Sequence, residues 1–76
     1  MSYKYKPRVI PSRFTIGMVV EIRAAISSIY AGSIGTVIRV RSSLYHHTLD
    51  KYLVRLSSGI EREFWDTQLR KVHVAA

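Results

Sequence analysis

The chain has no cysteine, few acidic residues and no long apolar run, and each absence excludes a class of protein. Without cysteine there are neither disulfides nor thiolate metal sites. No apolar stretch approaches the roughly 18–20 residues that a membrane helix needs, and none is placed like a signal-peptide core. The sequence therefore predicts an intracellular protein, with the cytoplasm as the expected location.

Length and composition describe a small folded domain. A chain of 76 residues forms one domain at most, and its 47% hydrophobic and 22% charged residues are typical of globular rather than disordered chains. Twelve Lys and Arg residues face five Asp and Glu residues, which gives a net charge of +7. Such an excess favours a polyanionic partner, namely nucleic acid, an anionic membrane surface or an acidic protein, although charge also serves solubility.

The first thirteen residues are basic and contain no acidic side chain; their cations are Lys4, Lys6, Arg8 and Arg13. Two prolines in the same stretch remove backbone donors and disfavour helix, so residues 1–13 are predicted to form an extended, flexible arm. Its cations suit phosphates, and the interleaved Tyr3 and Tyr5 suit stacking on bases. A terminus without a partner can have the same composition.

Alternation of apolar and polar residues predicts five short strands, at residues 18–24, 36–41, 51–57, 60–65 and 70–74. The core positions expected in the first strand are Met18, Val20, Ile22 and Ala24. The second strand is expected to place Thr36, Ile38 and Val40 on one face and Val37, Arg39 and Arg41 on the other.

Glycines and polar segments mark the connections between these strands. Gly32 and Gly35 predict a tight turn into the second strand, and because a strand rather than a helix follows, the pair is not a phosphate-binding loop. Residues 42–50 predict a long exposed loop and residues 57–59 a hairpin turn. Residues 66–69 predict one helical turn capped by Asp66.

Five strands without a long helix predict an all-β fold. In so few residues, curling the sheet into a barrel is the efficient way to remove its edges. The predicted fold is a single five-stranded barrel at residues 14–76, preceded by the arm at residues 1–13.

Four segments carry a family resemblance: GMVVEI at 17–22, YAGSIGTVIRV at 30–40, YLVRL at 52–56 and WDTQLRKV at 65–72. They resemble the SH3-like barrels, most closely the KOW-type members of transcription factors and ribosomal proteins. In that family a glycine pair turns the chain into its second strand, and a Gln-Leu-like turn precedes the closing strand. The resemblance covers residues 14–73 and implies an SH3-like barrel.

A second resemblance points to a different kind of partner. The chain is also similar to the small SH3-like accessory protein of photosystem I, which docks on other proteins. The similarity lies in the tyrosine and the glycine pair of the segment at 30–40 and in the Val-Arg-apolar strand of the segment at 52–56. The loops at residues 23–31 and 42–50 depart from the usual KOW form.

Exposed basic and aromatic residues are the candidate binding groups. The outward strand positions hold Arg23, Arg39, Arg41 and Arg55. If the first three strands are neighbours, these arginines share one surface that can bind phosphate or carboxylate, unless cross-strand acids neutralise them. Tyr30 and Tyr45 lie in predicted loops, where aromatic rings stack or dock. Trp65 falls on the outward register of the fourth strand, where it could also stack or dock, but it is expected to cover one end of the barrel.

The sequence predicts no catalytic residues, no metal site and no cofactor. It contains no phosphate-loop or nucleophile pattern, and the adjacent His46 and His47 would point to opposite faces of a strand. We therefore expect a non-catalytic module that attaches to RNA or a ribonucleoprotein complex. The alternative is a docking or assembly protein of a larger complex, whose arginines bind an acidic protein, with the oligomeric state open. A second alternative is an enzyme fragment or a subunit whose catalytic partner is another chain.

Overall fold

The computed structural model describes residues 10–24 and 29–72, and this part of the chain is all-β. Its strands are β1 (Val19–Ile22), β2 (Ile34–Arg41), β3 (Lys51–Leu56), β4 (Glu61–Trp65) and β5 (Leu69–Lys71). Two short 3₁₀ turns, His47–Leu49 and Asp66–Gln68, precede β3 and β5. Within these ranges no helix has the length and apolar character required to cross a membrane. The predicted all-β class with five strands is confirmed.

The strands form one antiparallel sheet in the order β4-β3-β2-β1-β5. Although β4 and β5 are at opposite edges of this order, only the turn Asp66–Gln68 connects them. In a flat sheet four strand spacings would separate the two edges by about 19 Å. The four residue-to-residue steps from Trp65 to Leu69 span at most about 14 Å. The sheet is therefore curled, so that its edges approach each other at this end.

The core lies on the concave side of this sheet. Its buried side chains are Phe14, Val20, Ile22, Val37, Tyr52, Val54, Leu56, Phe64 and Leu69. Phe14, which precedes the first strand, packs edge-on against Tyr52 with 5.1 Å between the ring centroids. Burial of each large apolar side chain contributes about 1.5–3 kcal/mol. The predicted alternation of β3 is confirmed, whereas Ala24 is exposed because β1 already ends at Ile22.

A β-bulge changes the register in the middle of β2. Val37 pairs with Val54 and Arg39 pairs with Leu53, so Ile38 is the extra residue. The prediction that Val37 shares a face with Arg39 and Arg41 is wrong, because the bulge reverses the alternation beyond Val37. Val37 is buried in the core, whereas both arginines are on the opposite face of the sheet.

The two glycines of the predicted entry turn have different roles. Gly32 has a φ of 83° and its amide donates to the carbonyl of Ile22, so it forms the turn. Gly35 instead lies inside β2, where an added Cβ would be 2.5 Å from Cγ1 of Val54 and 2.8 Å from the carbonyl oxygen of Arg55. Gly35 is required by the close approach of β2 to β3.

The turn before β5 forms at the predicted position but with a different cap. The backbone amide of Trp65 donates to Oε1 of Gln68 at 2.8 Å. Asp66, the predicted cap, is instead buried and binds the side chain of Arg13. The prediction was wrong for this residue because its partner is 53 residues away in the sequence.

Candidate functional site

The sheet face opposite the core, here called the outer face, carries an excess of positive charge. The alternation of the strands and their register place five cations there: Arg39, Arg41, Lys51, Arg55 and Arg70. The carboxylates on the same face of the described sheet are Glu21, Glu61 and Glu63. Five cations against three carboxylates leave two positive charges in excess.

Ion pairs show where on the outer face this excess lies. Arg55 binds Glu61 at 2.8 Å and Arg70 binds Glu21 at 3.2 Å, so both are balanced one to one. Arg41 and Lys51, in contrast, share the carboxylate of Glu63, at 3.2 and 3.7 Å.

Arg39 adds an unbalanced charge beside this pair. It pairs with Leu53 across the sheet, and within the described residues it makes neither an ion pair nor a hydrogen bond through its side chain. The positive excess is therefore concentrated at Arg39, Arg41 and Lys51, near the end of β2 and the start of β3.

An aromatic side chain contacts one of these cations. Trp65 is directly opposite Lys51 in the β3–β4 pairing, and the Lys51 ammonium is 4.3 Å from the centre of the indole ring. Instead of covering an end of the sheet as expected, Trp65 is on the outer face with 43% of its surface exposed. We call Arg39, Arg41, Lys51 and Trp65 the basic corner.

The loop between β2 and β3 extends the basic corner with exposed apolar groups. Tyr45 is 79% exposed, and Leu44 and Leu49 are also exposed. The fully buried carboxylate of Asp50 fixes this loop by accepting from the amide of Ser43 at 2.7 Å. A shallow cavity of ≈ 250 Å³ lies between the loop and the sheet, lined by Arg41, Ser42, Ser43, Leu49 and Lys51.

The described part of the predicted arm is attached to the sheet. The hydroxyl of Ser12 donates to Oδ2 of Asp50 at 2.8 Å and lies 3.1 Å from the hydroxyl of Ser42. Arg13 binds Oδ1 of Asp66 at 2.9 Å through Nε, and through Nη2 it donates to the carbonyls of Asp66 and Leu69. The other predicted arm residues, Lys4, Lys6 and Arg8, lie outside the described residues.

The remaining predicted site residues are distributed over the molecule rather than gathered together. Arg23 follows β1 and donates to the carbonyl of Thr67 at 3.1 Å, near the β5 edge. Arg55 lies on the outer face, where Glu61 neutralises it. Tyr30 is half-buried against the core, edge-on to Phe64 with 6.2 Å between centroids. Of the ten predicted residues, the structure brings Arg39 and Arg41 together and places Tyr45 in the adjacent loop.

Sequence reasoning missed Lys51 as a binding group and expected Trp65, although on the outward register, to cover an end of the barrel. A signal for their shared position was present. Once the turn at residues 57–59 is accepted, the hairpin pairs Arg55 with Glu61. Counting outward from this pair in steps of two places Lys51 opposite Trp65 on the same face.

Comparison of the chain with protein-family models, with curated proteins and with solved structures gave no match. Function is therefore inferred from the basic corner and from the charges around it.

Proposed function

We propose that this chain is a non-catalytic, cytoplasmic module that binds RNA, alone or within a ribonucleoprotein complex, through the basic corner. The observation that carries the proposal is the concentration of Arg39, Arg41 and Lys51 on the outer face, with a half-exposed Trp65 against Lys51 and with Glu63 as the carboxylate that Arg41 and Lys51 share. Cations neutralise phosphates, and an exposed indole gives bases a stacking surface. Proteins that bind single-stranded nucleic acid combine these two features.

The same observation favours RNA over an acidic protein as the partner. An acidic protein would neutralise the cations but has no general need for exposed flat rings on the same surface. Trp65 and Tyr45 are both exposed near the arginines of the basic corner, and a single strand presents bases and phosphates in alternation. The docking protein expected as the alternative is therefore the second outcome of the test below.

We also propose that the curled sheet closes as an SH3-like barrel of the KOW type. Support comes from the single antiparallel sheet and from the short turn that joins its two edge strands. A closed barrel leaves its outer face free for binding, since the core occupies the interior. The similarity to the accessory protein of photosystem I has the same support and implies the protein-docking alternative.

The basic residues near the start of the chain belong to the same proposal. Ser12 contacts Ser42 and Asp50 beside the cavity that Arg41 and Lys51 line. Lys4, Lys6 and Arg8 precede Ser12 by at most eight residues, so the chain connects them directly to the sheet at the basic corner. They would add phosphate contacts at one end of the bound strand.

Fluorescence anisotropy with a short labelled single-stranded RNA, repeated at several salt concentrations, tests the proposal. We expect the logarithm of the binding constant to fall steeply with the logarithm of the salt concentration. Arg39→Gln should weaken binding and reduce this slope by about 0.7, the value for one phosphate contact on a single strand. Arg62→Gln is the matched control, because Arg62 is an exposed arginine on the other face of β4 and the net charge changes equally.

Two results would contradict the proposal. One is the absence of RNA binding by the unmodified chain even at low salt. The other is an equal loss in the Arg39 and Arg62 variants, which would assign binding to net charge alone. Stoichiometric capture of one acidic protein by a chain that does not bind RNA would instead establish the docking alternative.

A further inference from the structure

A second group of cations surrounds a cavity at the β5 edge, away from β2 and β3. The cavity has a volume of ≈ 450 Å³ and is lined by Arg13, Arg23, Leu69, Arg70 and Lys71. We call it the β5 pocket. Its residues come from the segment before β1, from the end of β1 and from β5, so only the folded sheet assembles it.

The carboxylates in contact with these cations leave two positive charges in excess. Asp66 binds Arg13 and is 2% exposed, and Glu21 binds Arg70 at 3.2 Å. Arg23 and Lys71 have no carboxylate partner within the described residues. An anion with two negative charges would therefore balance the pocket.

Hydrogen bonds and an ion pair hold the three arginines in position. Arg13 donates from Nε and Nη2 to Asp66 and Leu69, and Arg23 donates from Nη1 to Thr67. Nε of Arg70 forms an ion pair with Glu21 at 3.2 Å. A guanidinium has five N–H groups, so each arginine keeps donors for a ligand. Because the side chains are already fixed, binding loses less conformational entropy than at mobile cations.

The number and arrangement of these donors suit a phosphate group better than a carboxylate. A carboxylate offers two oxygens in one plane, whereas a phosphate has at least three outward oxygens and up to two negative charges. Donors that approach from three separate segments can each reach a different oxygen. An ammonium group with three donors, Lys71, completes the set.

We propose that the β5 pocket binds a phosphate group, as a site distinct from the basic corner. The phosphate can belong to free phosphate, to the end of an RNA strand or to an internal position of the strand. The proposed RNA binding is not required for it, because inorganic phosphate alone is sufficient as a probe.

The first measurement is an NMR titration of the ¹⁵N-labelled full chain with inorganic phosphate at constant ionic strength. Saturable shifts are expected at the Arg23 and Arg70 side-chain Nε–H groups and at the Lys71 amide. In the double variant Arg23→Gln/Lys71→Gln, which leaves the Arg13–Asp66 pair intact, affinity should fall about tenfold or more. Arg39→Gln should bind phosphate like the unmodified chain.

The proposal is overturned by shifts that do not saturate, by equal phosphate affinity in the double variant, or by an equal loss in the Arg39 variant. Unchanged backbone spectra outside the pocket show that the double variant is folded. If phosphate binds while RNA does not, the phosphate site stands and the proposed function fails. If RNA binds while phosphate does not, the proposed function stands and the phosphate site fails.

A second measurement identifies the source of the phosphate, by comparing RNAs with a 5′-phosphate and a 5′-hydroxyl. Tighter binding of the phosphorylated RNA, lost in the double variant, assigns the pocket to a strand end. Equal binding of both, weakened in the double variant, assigns it to an internal phosphodiester. Equal binding that the double variant leaves unchanged assigns the pocket to free phosphate.

Discussion

The basic corner and the β5 pocket carry similar excess charge but hold their cations in different ways. In the basic corner, Arg41 and Lys51 share one carboxylate, and the Arg39 side chain is held by none of the described residues. In the β5 pocket, Arg13 is tied to a buried carboxylate and to two carbonyls. Loosely held cations beside an aromatic ring suit a long and variable ligand, whereas fixed donors around a cavity suit one compact group.

Net charge alone therefore does not identify a binding site in so basic a chain. The side chain of Arg55 is well exposed, like that of Arg41, yet it is neutralised by one carboxylate of its own. An exposed ion pair of this kind contributes about 0–1 kcal/mol to stability and leaves little charge for a ligand. The arrangement of the acids, rather than that of the bases, decides where the two sites lie.

The largest expected effect is on the stability of the sheet that carries both sites. Gly35→Ala introduces a Cβ that meets Val54 and the Arg55 carbonyl, in a strand that pairs with both β1 and β3. We expect the free energy of unfolding to fall by about 2–3 kcal/mol, measured by denaturant titration. Thr36→Ala, at the next position on the outer face, is the control and should change it by less than about 1 kcal/mol. Equal losses in the two variants would contradict the tight packing at Gly35.

A smaller effect should be confined to the β5 pocket. Asp66→Asn removes the buried charge that orients Arg13, so phosphate affinity should fall severalfold even though the net charge becomes more positive. The loss of a charged hydrogen bond should also lower the free energy of unfolding by about 1.5–3 kcal/mol. RNA affinity at the basic corner should be retained in the folded variant. Tighter phosphate binding would show that charge, and not the orientation of Arg13, governs the pocket.

A variant at Trp65 should affect the basic corner and leave the β5 pocket unchanged. Trp65→Ala removes the stacking surface and the contact with Lys51, and base stacking contributes about 1–3 kcal/mol. RNA binding should weaken about fivefold or more, with little change in the salt dependence because no cation is lost. Phosphate binding in the β5 pocket, followed by NMR, should be unchanged. A loss at both sites would mean that Trp65 supports the sheet rather than a ligand.

The smallest effect should leave both sites unchanged and appear only at alkaline pH. Burial raises the pKa of the Tyr52 phenol above its ordinary value of 10.0, so the folded chain holds this proton more tightly than the unfolded chain. Its stabilising contribution is complete below about pH 10 and is lost as the pH rises through the raised pKa. Tyr52→Phe should remove this part of the alkaline decrease in the melting temperature. If the melting temperatures of the unmodified chain and of Tyr52→Phe decrease in parallel at alkaline pH, Tyr52 does not contribute to the decrease.

At neutral pH the same variant removes the hydrogen bonds that the Tyr52 hydroxyl makes with the Phe14 amide and with the Ser12 side chain. The backbone amide of Phe14 donates to the Tyr52 hydroxyl at 3.4 Å, which is long for a strong bond. We therefore expect the free energy of unfolding to fall by about 1 kcal/mol near neutral pH.

Much of the sheet could be predicted from the sequence, because it depends on local alternation. Tyr52, Val54 and Leu56 are buried at every second position, and the turn at residues 57–59 sets the pairing of β3 with β4. The face of Val37 could not be predicted, because the bulge at Ile38 arises from pairing with β3 and leaves no periodic signal. The role of Gly35 was missed for a related reason, since the side chain that excludes a Cβ belongs to another strand.

The sequence by itself determined the all-β class, the excess of positive charge and the outward position of Arg39 and Arg41. These properties follow from composition and from the two-residue period of a strand. Only the tertiary structure decided which cations remain unbalanced, because Asp66, Glu21 and Glu63 select partners on other strands or segments. It also attached Arg13, predicted to lie in a flexible arm, to the buried carboxylate of Asp66. Long-range pairing of charges depends on the register and curl of the sheet, which no local pattern encodes.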